Sequence, residues 1–311
     1  MTTITAKSVL ASTNGDSRID TMLLRYPRCI HAEFMTHRQF SRSASSSRAV
    51  PVAKLIQDVL DDPFVPLHWG KNQKGMQASE ECNNKVMWPL DWDNPELGTT
   101  PVSREASWLR AMKQAVRVAR AFDEAGYHKQ IVNRLLEPFS HIIVVVTATE
   151  WDNFFALRDH PDAEPHIQML AQAIRKARDE AEVQKLEPGD WHLPFVYRGE
   201  ATDIWLDKYS GNRGGDNEAS TLCMNDLIKL SVARCASTSY KTVEGFDMTL
   251  DRAIALHDKL AGATPAHASP MEHQAKASFG SMTSDALDGW NGNLGLGWQQ
   301  YRKLLEMGNG S

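Results

Sequence analysis

No stretch of the chain limits its architecture as sharply as His141-Ile-Ile-Val-Val-Val-Thr-Ala-Thr149. It is β-branched throughout its centre and does not alternate with polar residues, the pattern of a strand covered on both faces. Most of what surrounds it repeats at helical spacing. Val52, Leu55, Ile56, Val59 and Leu60 follow Pro51. Trp108, Met112, Val116, Ala119 and Phe122 follow a Ser103 N-cap and stop at Gly126. Ile167, Leu170, Ile174 and Ala177 lie within 164–182. Further helical segments are expected at Cys29–Met35, 127–138 (stopped by Pro138), 151–158, 222–236 and 250–260, with Ile19–Arg25 a second, shorter strand. Strands this few and irregularly spaced do not make a parallel βαβ series, so an α+β fold is predicted.

Without an internal repeat or a linker-like break, 1–311 reads as a single domain carrying a Trp-rich, irregular insertion at about 61–100 (Trp69, Trp88, Trp92). A loop of that length is either functional or a surface elaboration with aromatic anchors. Glu187–Asp190 reads as a turn, 197–216 as a polar connection, and the segment around Gly245 as a loop between helices. With 42% hydrophobic and 23% charged residues the chain is globular rather than disordered. Its net charge of -5 argues against a main role in gripping nucleic acid, yet allows a local basic pocket. Cys29, Cys82, Cys223 and Cys235 show no C-x-x-C pairing. That fits buried thiols in a reducing compartment better than disulfides or zinc, and no metal site is expected. Neither a signal-peptide core nor a membrane span is evident, so a soluble cytoplasmic protein is predicted, in host cytoplasm if viral.

Met35–Pro51 concentrates three arginines, one histidine and five serines between apolar segments. Guanidinium forks and small hydroxyls hold phosphate and carboxylate oxygens, and the N-terminal approach to a helix favours anions. A solvated Ser/Arg tract has the same composition.

The spacing Thr36-His37-Arg38, Ser41, Ser43, Ser46, Arg48 resembles the R-H-R-x-x-S-x-N-x-x-S-x-R signature of flavin-dependent thymidylate synthases, with Thr36 for the first Arg and Ser43 for the Asn. Gln130–Pro138 resembles the segment in which an Arg before a Pro contacts the pyrimidine nucleotide, here Arg134. Thr147–Arg158 with 162–167 resembles N-x-R-S-L-x-N-F-L-x-L-R…H-A-Q-W-E-I, retaining Asn153 and Arg158 but placing Thr147 at the first Asn. Asn153 and Arg158 are five residues apart, roughly 140° around a helix, so they could touch different parts of a stacked flavin and nucleotide. Ala233-Arg-Cys-Ala-Ser-Thr-Ser-Tyr240 and His267-Ala-Ser-Pro-Met-Glu-His273 resemble A-A-R-V-S-Y and H-x-T-P-F-E-H, which usually precede the signature. Their late position reads as a circular permutation in a long, viral-type (phage) variant. The glycine run 292–297 has no preceding strand or acidic partner, so it is read as a loop rather than a dinucleotide fingerprint.

The resemblance implies helices packed on a central, largely antiparallel sheet. It implies methylation of dUMP to dTMP with methylenetetrahydrofolate as one-carbon donor and NADPH as reductant through FAD. Arg48, Ser46 and Ser47 would take the nucleotide phosphate. Arg134 and Arg158 would hold the base, Arg158 as the catalytic group. His37, Arg38, Asn153, His267, Ser269 and Glu272 would meet the flavin, with Ser239 a further contributor. Family members are homotetramers with shared sites. Departures at Ser43, Thr147 and His166 leave room for a dCMP methylase or pyrimidine hydroxymethylase on the same fold. A non-catalytic nucleotide- or RNA-binding protein is the reading from another class.

Overall fold

The computed structural model describes residues 3–75, 78–210, 216–238, 248–278 and 289–308. Its N-terminal half contains strands β1 (Thr5–Thr13), β2 (Arg18–Pro27) and β3 (Ser41–Ala44), with the short helix α1 (His31–Phe34) before β3. Helix α2 (Val52–Asp61), the hairpin β4 (Val86–Pro89) and β5 (Thr99–Val102), and helices α3 (Arg104–Glu124) and α4 (Lys129–Val132) follow. Then come β6 (His141–Ala148), α5 (Asp152–Arg158), α6 (Pro165–Asp179) and β7 (Val183–Lys185). The C-terminal part holds β8 (Trp191–His192), α7 (Arg198–Ile204), α8 (Asp216–Ser237), α9 (Leu250–Ala261), β9 (Ala275–Ala277), β10 (Trp298–Gln300) and α10 (Tyr301–Glu306).

Five strands form the central sheet in the order β3-β6-β2-β1-β7, antiparallel except for the β1–β7 pair. The fold is thus the α+β arrangement expected. Alternation along the strands divides the sheet into two buried faces. On one, Met22, Leu24, Tyr26, Ile142, Val144 and Val146 pack against Phe34, Trp151, Phe154 and the inward stripe of α6, Ile167, Leu170 and Ile174. Each of those three α6 side chains is fully buried and contributes about 1.5–3 kcal/mol. On the other face, Leu23 and Val145 meet Phe195 and Cys235 from the C-terminal layer. Beside that cluster, the three-stranded sheet β10-β9-β8 caps β2 through Ile19, Ala275, Ala277 and Trp298. Cover on both faces is why β6 shows no polar alternation.

Several boundaries differ from the sequence reading, each for a physical reason. Strand β1 was not anticipated because Thr-Ala-Lys-Ser-Val-Leu mixes faces, and a bulge between Ser8 and Leu10 breaks its register with β2. Within 61–100 the chain forms the β4–β5 hairpin, whose Pro89 and Pro101 are tolerated in a two-stranded ribbon. The insertion is anchored on α3 by the Arg104–Glu81 ion pair at 2.8 Å and by Arg110 over Trp88 at 5.7 Å. Pro138 does not stop its helix, since 133–139 continues as a 3-10 helix that includes it. The polar stretch after Tyr197 is helical, as α7 and then a π-helical turn at Trp205–Tyr209, because Ala201, Ile204 and Trp205 pack on the C-terminal core. Only Cys223 and Cys235 are buried thiols; Cys29 is exposed and Cys82 half-buried. Among the described residues no helix is long and apolar enough to cross a membrane. The loop around Gly245 lies outside the described residues.

Candidate active site

Arg158, the last residue of α5, ties that helix to the signature segment. Its Nε donates to His37 Nε2 at 2.9 Å, Nη2 to Thr36 Oγ1 at 3.4 Å, and Nη1 to the Glu33 carboxylate. A cation at a helix C-terminus also suits the helix dipole. Thr36, standing where the signature has Arg, therefore receives a guanidinium from across the fold instead of supplying one. His37 is buried against Phe40 and Phe154, with ring centroids 5.9 and 4.9 Å away. Burial first, then the charges of Arg158 and Arg42, push its pKa down to about 4. The ring is neutral at pH 7 and accepts at Nε2, which puts its proton on Nδ1. Arg42, which the sequence reading did not single out, donates from Nη1 to the carbonyls of Met35 and His37 at 2.9 and 3.0 Å and fixes the turn into β3.

At the other end of β3, about 13 Å on at ~3.3 Å per residue, the serine loop is held from beneath. Asn133 Nδ2 donates to the carbonyls of Ser47 and Val50 at 2.6 and 2.9 Å, and Lys129 Nζ to that of Ala49 at 2.9 Å. Ser47 is buried and its hydroxyl donates to Glu137 Oε1 at 2.7 Å, so that hydroxyl serves the loop. Ser46 Oγ accepts from the Arg48 backbone N–H at 3.3 Å, which leaves its own proton available. Arg134 is exposed, 4.0 Å from Glu137 Oε2.

The block that the resemblance places out of order docks against β3. His273 is fully buried, with Nε2 2.9 Å from Ser43 Oγ and Nδ1 2.9 Å from Thr147 Oγ1. Ser43 of the signature and Thr147 of the second block, each a departure from the family pattern, thus converge on one imidazole, 230 residues from Ser43 in sequence. Glu272 pairs with Arg302. Arg234 is buried in a fork with Glu200 at 2.6 and 2.5 Å. His166 is spent structurally: its Nε2 accepts from Leu67 N–H at 3.0 Å, so Nδ1 donates to Glu164. Ser239 lies outside the described residues.

Arg38, Arg48, Asn153, His267 and Ser269 are exposed, and their side chains make no hydrogen bond or ion pair among the described residues. Setting Arg48 aside for a nucleotide phosphate, the guanidinium of Arg38, the amide of Asn153, the imidazole of His267 and the hydroxyl of Ser269 are donors of the kind that suits the diphosphate and ring carbonyls of FAD, so these residues fit such a cofactor.

Arg158 thus joins α5 to Glu33, Thr36 and His37, at the start of the segment that carries the signature. Residues 20–181 match the family model described as Thymidylate synthase complementing protein. The chain belongs to that family, the flavin-dependent thymidylate synthases, and is an enzyme of methyltransferase type. No curated protein matches at a significant level. The chain is similar to the solved structure of a UMP/dUMP methylase, PolB, from Streptomyces cacaoi bound with 5-Br dUMP, at 16% identity and TM-score 0.41 over 58% of this chain and 91% of that one. The same protein bound with 5-Br UMP gives 16% identity and TM-score 0.39 over 58% and 90%.

Proposed function

We propose that the protein converts dUMP to dTMP, with methylenetetrahydrofolate as carbon donor and NADPH as reductant through FAD. The observation that carries this reading is the Arg158–His37 contact, which joins two family blocks in one matched segment. Three of the five N–H donors of Arg158 are engaged by protein, leaving two for a ring carbonyl. Charge that develops on that carbonyl as C5 becomes nucleophilic would be met by fixed donors rather than by reorganising water. Neutral His37 and the Glu33 carboxylate hold the guanidinium plane. Arg48 and Ser46 serve the nucleotide phosphate, and Arg38, Asn153, His267 and Ser269 the flavin. When bound there, reduced FAD would supply the hydride and the folate the one-carbon unit. Nothing in this scheme needs an enzyme nucleophile.

We further infer a homotetramer in which Arg48 and Asn153 of one site belong to different chains, since both side chains are exposed and unengaged. The test is product analysis by mass spectrometry after incubating protein with FAD, NADPH, methylenetetrahydrofolate and either dUMP or dCMP. Formation of dTMP from dUMP is expected. A colourless protein without turnover sinks the reading, and turnover of dCMP alone replaces it with the methylase or hydroxymethylase alternative.

A further inference from the structure

The Trp-rich insertion and helix α3 enclose a cleft of about 660 Å³, within the size range of small-molecule sites. One wall comes from the hairpin. Trp88 in β4 and Trp92 in the turn after it meet edge to face, with ring centroids 5.5 Å apart. Trp88 is half-buried, whereas Trp92 keeps 66% of its surface exposed. The other wall is the outer face of α3, where Arg110, Lys113, Gln114 and Arg117 line the cleft. Seven residues are nearly two helical turns, so Arg110 and Arg117 lie almost in line, with Lys113 and Gln114 to either side of that line. The small side chains of Ala111 and Ala115 leave the space between the walls open.

Cations three and four positions apart on a helix repel one another. Yet among the described residues Arg110, Lys113 and Arg117 have no ion pair, and no residue lining the cleft is acidic. Elsewhere on the same helix the charge is balanced, since Arg104 pairs with Glu81 and Glu105. Arg110 is engaged only with an aromatic face, its guanidinium 5.7 Å from the Trp88 ring centroid. An indole as exposed as that of Trp92 also leaves apolar surface in water that burial would recover. Aromatic faces and unpaired cations in one concavity have a definite complement, a flat π surface that carries negative charge. A long polyanion is a poorer match. The turn that carries Trp92 also carries Asp91, Asp93 and Glu96, which do not line the cleft and would repel phosphates continuing past it.

We propose that this cleft binds a small planar aromatic anion. A heteroaromatic ring lies against the indoles of Trp88 and Trp92, and its phosphate or carboxylate oxygens are taken by Arg110, Lys113 and Arg117, with the Gln114 amide available to the polar edge of the ring. A mononucleotide and a folate share that build, a flat ring joined to an anionic group. None of these residues lies in the blocks that resemble the family motifs, so the resemblance assigns them no role. The ligand class is read from the cleft's own residues and holds whether or not the proposed reaction does.

The test follows full-length protein carrying fluorotryptophan by fluorine-19 NMR, with Trp88→Phe and Trp92→Phe assigning the two resonances. The probes dTMP and folate are titrated separately, alongside thymidine as a ring without the anion and inorganic phosphate as an anion without the ring. One of the two ring-bearing anions should shift both resonances and bind about tenfold more tightly than thymidine or phosphate. Which of them does so identifies the source. Arg117→Gln, an exposed change within the long α3, should weaken that ligand about tenfold while leaving both resonances of the free protein in place. Resonances that no probe moves at millimolar concentration overturn the proposal. So do binding that Arg117→Gln leaves intact, and shifts produced by an oligothymidylate but by neither small anion. Shifts that appear on concentrating the protein alone overturn it too, because they mark the cleft as a contact between copies. No turnover is measured, so failure of the proposed reaction is a separate outcome.

Discussion

Lysine at position 158 would keep the positive charge and lose the fork, since one ammonium cannot reach His37, Glu33 and Thr36 along the directions a guanidinium spans. Arg158→Lys is expected to lower kcat/KM about a hundredfold or more, roughly 2–4 kcal/mol, with the fold retained. Steady-state kinetics alongside circular dichroism check this. At this scale the sequence disclosed residue types but not their engagements. Arg158 and His37 were nominated and meet. Ser47 was nominated on equal terms with Ser46, yet its hydroxyl is taken by Glu137. Arg42, counted among the arginines of 35–51, and His273, the last residue of the His267–His273 block, were given no role of their own, because what they do is fixed by turn carbonyls for the one and by hydroxyls distant in sequence for the other.

Among the elements, helices with a strong apolar stripe and an explicit cap were legible, and α3 is the clearest case. Ser103 Oγ accepts from Ala106 N–H at 3.2 Å, so Ser103→Ala should cost about 1 kcal/mol in urea unfolding. Elements shaped by distant contacts were not legible. The glycine run illustrates this: Gly297 has φ 82°, and a Cβ there would stand 2.1 Å from Asn14 Nδ2, which itself donates to the Gly297 carbonyl. Gly297→Ala should therefore destabilise the protein by about 1–3 kcal/mol, read as a lower urea midpoint. The sequence marked this run as a loop, but the neighbour that demands glycine lies at the other end of the chain. Likewise β1 becomes a strand by pairing with β2, whatever its own alternation.

For the molecule as a whole, His192 and His273, both completely buried, link folding to pH. Unfolded imidazoles take up protons near 6.5, whereas His192 and His273 do so only near 3. Between those values the unfolded chain binds more protons, so stability falls as pH falls, by up to ~1.4 kcal/mol per pH unit for each ring. Urea unfolding from pH 7 to 4 should show this slope, and His192→Gln should reduce it. Assembly has its own test: Arg48→Ala and Asn153→Ala, each inactive alone, should regain activity when mixed if their side chains complete one site from two chains, and light scattering should give a tetramer. The bulge in β1 has a separate consequence. Strand β7 covers only Ala11–Thr13 of β1, so the remainder of that strand is the rim of the sheet. The kink between Ser8 and Leu10, with Lys7 beside it, denies an incoming strand a straight, uncharged template. Concentrated protein is thereby guarded against zipping rim to rim into fibres.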